Sequence, residues 1–234
     1  MITLLVSPEQ LDLATTEVQG DTFRHLFKAR RLAVDAEIRL VDGHGRAHWS
    51  KVLEVGPTSA RLQIGNEAPA HEPCVRLELL TPVLRPQRLT WLVEKATEVG
   101  VAAIRLIHSE RAPRRCGAQT LQRLSRVAAA AVEQCHRAVV PEITGAHGWS
   151  EIPAVLETSE ERWLLEPGET ERSGVEPGTS VAVIVGPEGG WTESETEFLL
   201  SLGCRRIGLG PTVLRTETAA IVGSALLLDR ARNR

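Results

Sequence analysis

The sequence predicts an α/β protein: a parallel sheet covered by helices, preceded by a small β-rich domain. Three observations carry this. Residues 181–185 (VAVIV) form an unbroken apolar run of strand length, which suits a strand buried on both faces. From residue 75 onwards, strand-like and helix-like stretches alternate, the pattern of a parallel sheet with crossover helices. Residues 1–68 instead hold short runs of period-two alternation, and the polar, proline-bearing stretch 66–73 (NEAPAHEP) reads as a linker. The expected domains are residues 1–68 and residues 74–234.

In the first of these, residues 2–6 read as a strand. Residues 21–31 read as a short helix with Phe23, Leu26 and Phe27 on one face. Residues 37–41 alternate at period two, and Asp42-Gly43 is a turn before a return strand through Trp49 and Val52. Residues 59–64 alternate again. Beyond the linker come a strand at 75–80, a helix at 87–99 ended by Gly100, and a strand at 102–107. A helix at 118–134, a short helix at 150–156 and a strand at 162–165 follow. Residues 167–178 are a Glu/Gly/Pro loop. After the strand at 181–185 the chain must turn at Gly186-Pro187-Glu188-Gly189-Gly190, because proline cannot donate to a ladder and glycine tolerates positive φ. Thr192 and Glu195 then form a capping box for a helix to about Leu202, stopped by Gly203. Residues 204–209 are a second strand ending at Gly210-Pro211. Thr216 or Thr218 caps a last helix running to Leu228. Trp91, on the first of these helices, is expected in the core.

Composition bounds the function. The 234 residues are 42% hydrophobic and 24% charged, ordinary for a soluble globular chain. No apolar run nears the length of a membrane span and no signal-peptide pattern opens the chain, so a cytoplasmic location is expected. Cys74, Cys116, Cys135 and Cys204 are far apart, without metal-ligand spacing. The net charge of −3 argues against a generic nucleic-acid binder, but it hides a division. Between Arg105 and Arg137 stand seven arginines against two acids, and between Glu151 and Glu197 twelve glutamates against two arginines. A local basic patch holds phosphate even on an acidic protein. Arg111 and Arg114 fall in the basic stretch, and Arg24, His25, Lys28, Arg30 and Arg31 cluster on or near the helix at 21–31. All are candidates for gripping RNA phosphates, against the simpler reading of solvated helix faces.

Two neighbouring strands thus end in Gly/Pro loops at their carboxyl ends, the edge where open α/β sheets bind ligands. The loops are no P-loop, since no Gly-Lys-Ser/Thr follows, and they lack G-x-G-x-x-G spacing. The string is more specific than its glycines. GPEGG-W-T-x-x-E followed by LG-x-x-x-LRTETA resembles the RsmE family of the SPOUT superfamily, methyltransferases that use S-adenosyl-L-methionine (SAM) to make N3-methyluridine in 16S ribosomal RNA. The resemblance extends to EKATEVGV at 94–101, Glu110-Arg111, Glu133-Gln134, VPEI at 140–143, His25-Leu26 and VDGHG at 41–45. Where the family shows Leu-Arg and then Gly-Asp near the amino-terminal helix, this chain has Arg30-Arg31 and Asp35-Ala36.

The resemblance implies a SPOUT-type knotted parallel sheet with helices on both faces and a small amino-terminal PUA-like β-barrel. It implies a SAM site built from three loops: Leu165 and Glu166; Gly186, Pro187, Glu188 and Gly190; and Leu209, Gly210, Val213, Leu214 and Thr216. Trp191 would cover the cofactor loop or a dimer seam. No metal is implied. Arg215 is the candidate for charge stabilisation or RNA orientation, against a structural role pairing with Glu188 or Glu217. Glu217 is a candidate proton acceptor, although glutamate in a first helical turn is common without catalysis. N3 of uridine carries a proton and lies on the Watson–Crick edge, so the base must be unpaired and its developing charge held. The partner is 16S rRNA or the small ribosomal subunit, and the implied assembly is a homodimer, weakly supported by apolar residues Ala219, Ile221, Val222, Ala225 and Leu226. The competing readings are a SPOUT ribose 2′-O-methyltransferase on tRNA or rRNA, and a non-catalytic RNA-binding assembly factor.

Overall fold

The structure, a computed structural model, describes residues 1–112, 114–168 and 179–232. The loop expected at 167–178 lies almost wholly outside them. The chain forms two units, Met1–Glu72 with Val132–Val140, and Pro73–Ala131 with Pro141–Arg234.

The first unit contains β1 (Thr3–Leu5), α1 (Pro8–Leu11), β2 (Thr15–Gln19), α2 (Gly20–Phe23), β3 (Glu37–Val41), β4 (Ala47–Val55) and β5 (Ser59–Glu67). The sheet order is β1-β3-β4-β5-β2, antiparallel except for β1 beside β3. Phe23, Leu26, Phe27, Ile38, Leu40 and Leu62 fill its core. The expected helix at 21–31 is α2 continued by a π-helical turn over Arg24–Ala29, where the Arg30 N–H donates to the His25 carbonyl at 3.0 Å. Strand β2 was not anticipated: of its residues TTEVQ only Val18 is apolar, so it carries no alternation signal, although Thr16 and Val18 both face inward.

Residues 66–73 are more ordered than a linker. Strand β5 runs through Glu67, and the Ala68 N–H donates to the Ala47 carbonyl at 2.8 Å. The Glu72 carboxylate accepts the N–H groups of Ala138 and Val139 at 2.7 and 2.9 Å and pairs with the buried Arg137. Glu133 accepts the Leu5 N–H at 2.9 Å. These bonds explain why residues 132–140 belong to this unit. Composition marks the stretch as a linker because its partners lie far along the chain.

The second unit contains β6 (Arg76–Pro82), α3 (Pro86–Val99), β7 (Ala103–Ile107), α4 (Ala118–Cys135), β8 (Glu142–His147), α5 (Ile152–Leu156), β9 (Glu161–Glu166), β10 (Ser180–Val185), α6 (Glu193–Ser201), β11 (Arg205–Gly208) and α7 (Thr216–Arg232). The six strands are parallel throughout, in the order β11-β9-β10-β6-β7-β8. Strand β8 was not expected, since EITGAH shows only one large apolar residue, and α7 extends beyond Leu228.

Helices cover both faces. Adjacent partners in parallel strands point the same way, so Leu164, Ala182 and Ile184 share one face, and they pack with Ile152, Leu156 and Leu199 of α5 and α6. Leu165 points to the other face, towards α7. A Cβ at Gly223 of α7 would fall 2.6 Å from Leu165 Cδ1, so glycine is what allows this close helix–strand approach. Trp91, expected inside, is 43% exposed: the inward stripe of α3 is Leu89, Leu92, Val93 and Ala96, and Trp91 falls off it.

Candidate active site

The carboxyl ends of β9, β10 and β11 enclose a cavity of about 310 Å³. The loop after β9 contributes Leu165, Glu166 and Pro167. The loop after β10 contributes Gly186, Pro187, Glu188, Gly190 and Trp191. The loop after β11 contributes Leu209, Thr212, Val213 and Leu214, and α7 begins at its wall with Thr216. Ten of the eleven residues expected at the cofactor site line this cavity. Gly210 does not. It exchanges backbone hydrogen bonds with Gly168, at 3.1 and 3.3 Å, and so ties the first loop to the third.

Local chemistry fixes these loops. The Thr192 hydroxyl accepts the Glu195 N–H at 3.2 Å and Glu195 returns the bond to the Thr192 N–H at 2.8 Å, the capping box that starts α6. The buried Thr216 hydroxyl donates to the Gly186 carbonyl at 2.9 Å, joining the start of α7 to the GPEGG loop. A Cβ on Gly186 would come within 3.0 Å of the Trp191 indole nitrogen. That nitrogen is buried and, among the described residues, has no acceptor.

Arg215 is exposed at the end of the third loop, and among the described residues it makes no ion pair. Glu188 and Glu217 are engaged elsewhere. Both pair with Arg88 of α3, which lies 3.5 Å from Glu217 through its Nε and contacts Glu188 through Nη1. Glu217 is buried and its Oε2 has no partner among the described residues. Arg88 is thus a site residue that sequence reading missed. It stands one residue into the helix, and its two carboxylate partners lie about a hundred residues away, so no spacing rule points to it.

Of the RNA candidates, Arg111 is exposed and donates to the Gly189 carbonyl at 2.6 Å, which brings it to the GPEGG loop. Arg114 is exposed nearby in sequence. Two other arginines of the basic stretch are structural: Arg105 pairs with buried Glu78 and with Glu142, and Arg137 with Glu72. Arg24, His25, Arg30 and Arg31 belong to the first unit and are all exposed. Arg24 pairs with Asp21, and Arg31 and Asp35 take positive φ, 55° and 70°.

The RNA methyltransferase domain family matches residues 70–228, and the RNA methyltransferase PUA domain family matches residues 18–65. A relative from Mycobacterium bovis, called ribosomal RNA small subunit methyltransferase E, is 30% identical over 226 residues, covering 89% of this chain and 84% of its own. The chain belongs to the ribosomal RNA small subunit methyltransferase E family. The Bacillus subtilis protein of that name is 26% identical over 161 residues, 63% of either chain. Within the family, the crystal structure of the Neisseria gonorrhoeae methyltransferase E bound to S-adenosyl methionine has a TM-score of 0.87 to this one at 26% identity, covering 98% of this chain and 97% of the other.

Proposed function

We propose that the protein transfers a methyl group from SAM to N3 of a uridine in 16S rRNA. It is a SAM-dependent methyltransferase acting on ribosomal RNA. The observation that carries this reading is the three-loop cavity with its unpaired Trp191 N–H, in a chain whose relatives carry the methyltransferase E name and include a SAM-bound structure. The cavity fits the group: its lining is mixed apolar and backbone polar, and the buried indole N–H offers a donor with no competing acceptor. Leu165, Glu166, Gly186, Pro187, Glu188, Gly190, Leu209, Val213, Leu214 and Thr216 would hold SAM, with Gly210 fixing the loop. SAM supplies the electrophilic methyl group when bound.

The chain's own residues supply position and charge. Arg215, exposed and unpaired among the described residues, would hold a uridine oxygen as negative charge develops on the base. Glu217 is the proton acceptor only if Arg88 releases it, because the ion pair holds it in place as an anion whose first partner is structural. Residues 1–68 form the RNA-binding domain in this reading and residues 74–234 the catalytic one, with Arg24, His25, Arg30, Arg31, Arg111 and Arg114 meeting phosphate. We place the protein in the cytoplasm, where ribosomes are made; among the described residues no helix is long and apolar enough to cross a membrane. The family's knot is part of the proposed architecture.

The protein is a homodimer in this reading. Ala219, Ile221, Val222, Ala225 and Leu226 of α7 are all left partly or fully exposed, while Ala220, Leu227 and Leu228 fill the core. An exposed apolar stripe on a packed helix suits a partner surface. Light scattering at micromolar concentration should give twice the monomer mass. The functional reading is tested by methyl transfer from labelled SAM to purified small subunits and to naked 16S rRNA. Incorporation into at least one is expected, and none into either refutes the reading.

A further inference from the structure

A second and larger cavity, about 860 Å³, opens at the carboxyl ends of β7 and β8. Helix α6 is the wall between the two cavities: Thr196 lines the first, and Glu195 and Phe198 line the second. The wall is aromatic at its centre. Trp149, on the side of the second cavity, meets Trp191 of the first edge-on at 5.8 Å between ring centroids, and meets Phe198 edge-on at 5.6 Å. The second cavity therefore shares an aromatic wall with the first.

Its polar groups are unequal. Ser109 is 3% exposed, and its hydroxyl has no hydrogen-bond partner among the described residues. A buried hydroxyl left unpaired is costly, and a ligand's polar edge would relieve that cost. Glu195, on the same wall, is already satisfied: its oxygens accept the N–H groups of Glu110 and Thr192 at 2.9 and 2.8 Å. It acts as framework. Arg115 and His108 bring cationic or polar character to the opening, against one exposed carboxylate, that of Glu110.

A flat ring on Trp149 and Phe198, a polar ring edge at Ser109 and an anion at Arg115 together describe a nucleotide. The volume lies within the range of about 300–1,000 Å³ for small-ligand sites. We propose that this cavity is a nucleotide subsite, taking an unpaired nucleotide of the RNA substrate that neighbours the methylated base. Its base stacks against the Trp149–Phe198 wall and its phosphate pairs with Arg115. The proposal rests on the rRNA methyltransferase reading and adds to it where the strand next to the target goes. Stacking against aromatic side chains is how single-stranded nucleic acid is held without base pairing.

Two variants test it. Ser109→Ala combined with Arg115→Ala removes the polar edge and the anion partner, and Cys116→Trp fills the cavity from its lining without changing charge. For each, affinity for 16S rRNA is measured by filter binding, and SAM affinity by calorimetry. The expected result is rRNA binding weakened about tenfold in both, with SAM affinity within about twofold of wild type. Uridine 5′-monophosphate should compete with rRNA on the wild-type protein. Unchanged rRNA affinity in both variants overturns the proposal, as does equal loss of SAM affinity in both, which would assign these residues to the framework. Uridine monophosphate that binds without displacing rRNA also overturns it. A wild-type protein that transfers no methyl group to rRNA fails earlier, and takes the functional reading down with the subsite.

Discussion

The Nε of Arg88 lies 3.5 Å from Oε1 of Glu217. The same guanidinium contacts Glu188, so a single side chain on α3 holds the GPEGG loop and the first turn of α7. Glu217 is mostly buried, with a side chain 10% exposed, and leaving it without a cation is costly. Arg88→Leu should lower stability by about 1–2 kcal/mol, since Arg88 is itself partly in solvent. SAM affinity should fall as well, because two walls of the cavity lose their tie. Adding Glu217→Gln should restore part of the stability. Melting temperatures and calorimetry on the single and double variants check this; additive losses would show that the pair is not coupled.

Arg215 is free of the carboxylates that could have made it structural. Arg215→Ala should therefore lower methyl transfer roughly a hundredfold, as for loss of one preorganised charge-stabilising donor. The melting temperature should hold. Arg215→Lys should recover part of the rate, because lysine supplies charge but not the two-pronged donor. Turnover near wild type in Arg215→Ala, or a fall only in step with unfolding, removes Arg215 from the site.

The site was legible where it depends on chain-local chemistry. The apolar run 181–185, the GPEGG turn and the Thr192–Glu195 box each lie within a few residues, and the cavity formed where they met. What could not be read depends on distant partners. Arg88 reaches two loops, Glu72 fixes the segment 132–140, and Ser109 is unpaired only because of how its surroundings fold. Strands β2 and β8 escaped because each carries one apolar residue of any size, so neither shows a period.

Arg24, Arg30 and Arg31 are all exposed, and the Arg24–Asp21 pair is open to solvent. Such a pair contributes about 0–1 kcal/mol. Replacing the three arginines together by alanine should leave folding and SAM affinity intact. RNA binding should weaken and its logarithmic salt dependence should flatten by about two units, one counterion fewer for each lost phosphate contact. Binding isotherms at several salt concentrations measure this; an unchanged slope would mean these residues do not touch phosphate.

Asp42 stabilises the first unit in a pH-dependent way. Burial alone would raise its pKa, but hydrogen bonds from the Arg46 side chain at 2.7 Å and from the N–H groups of His44 and Arg46 outweigh it, and the carboxyl titrates below its ordinary 3.8. A depressed carboxyl contributes fully above its unfolded value and loses that contribution as pH falls through the folded one. Asp42→Asn should lower stability at neutral pH by about 1–2 kcal/mol and should lessen the loss of stability below pH 3.8. Denaturant melts at pH 7 and in that acid range decide it. An acid sensitivity equal to wild type would contradict the assignment.

The central claim is methylation of a uridine base. After transfer from labelled SAM, the rRNA is digested to nucleosides and analysed by mass spectrometry. The account predicts one new product, uridine carrying the methyl group on N3. Label on a ribose 2′-oxygen, or on any base other than uridine, would contradict it.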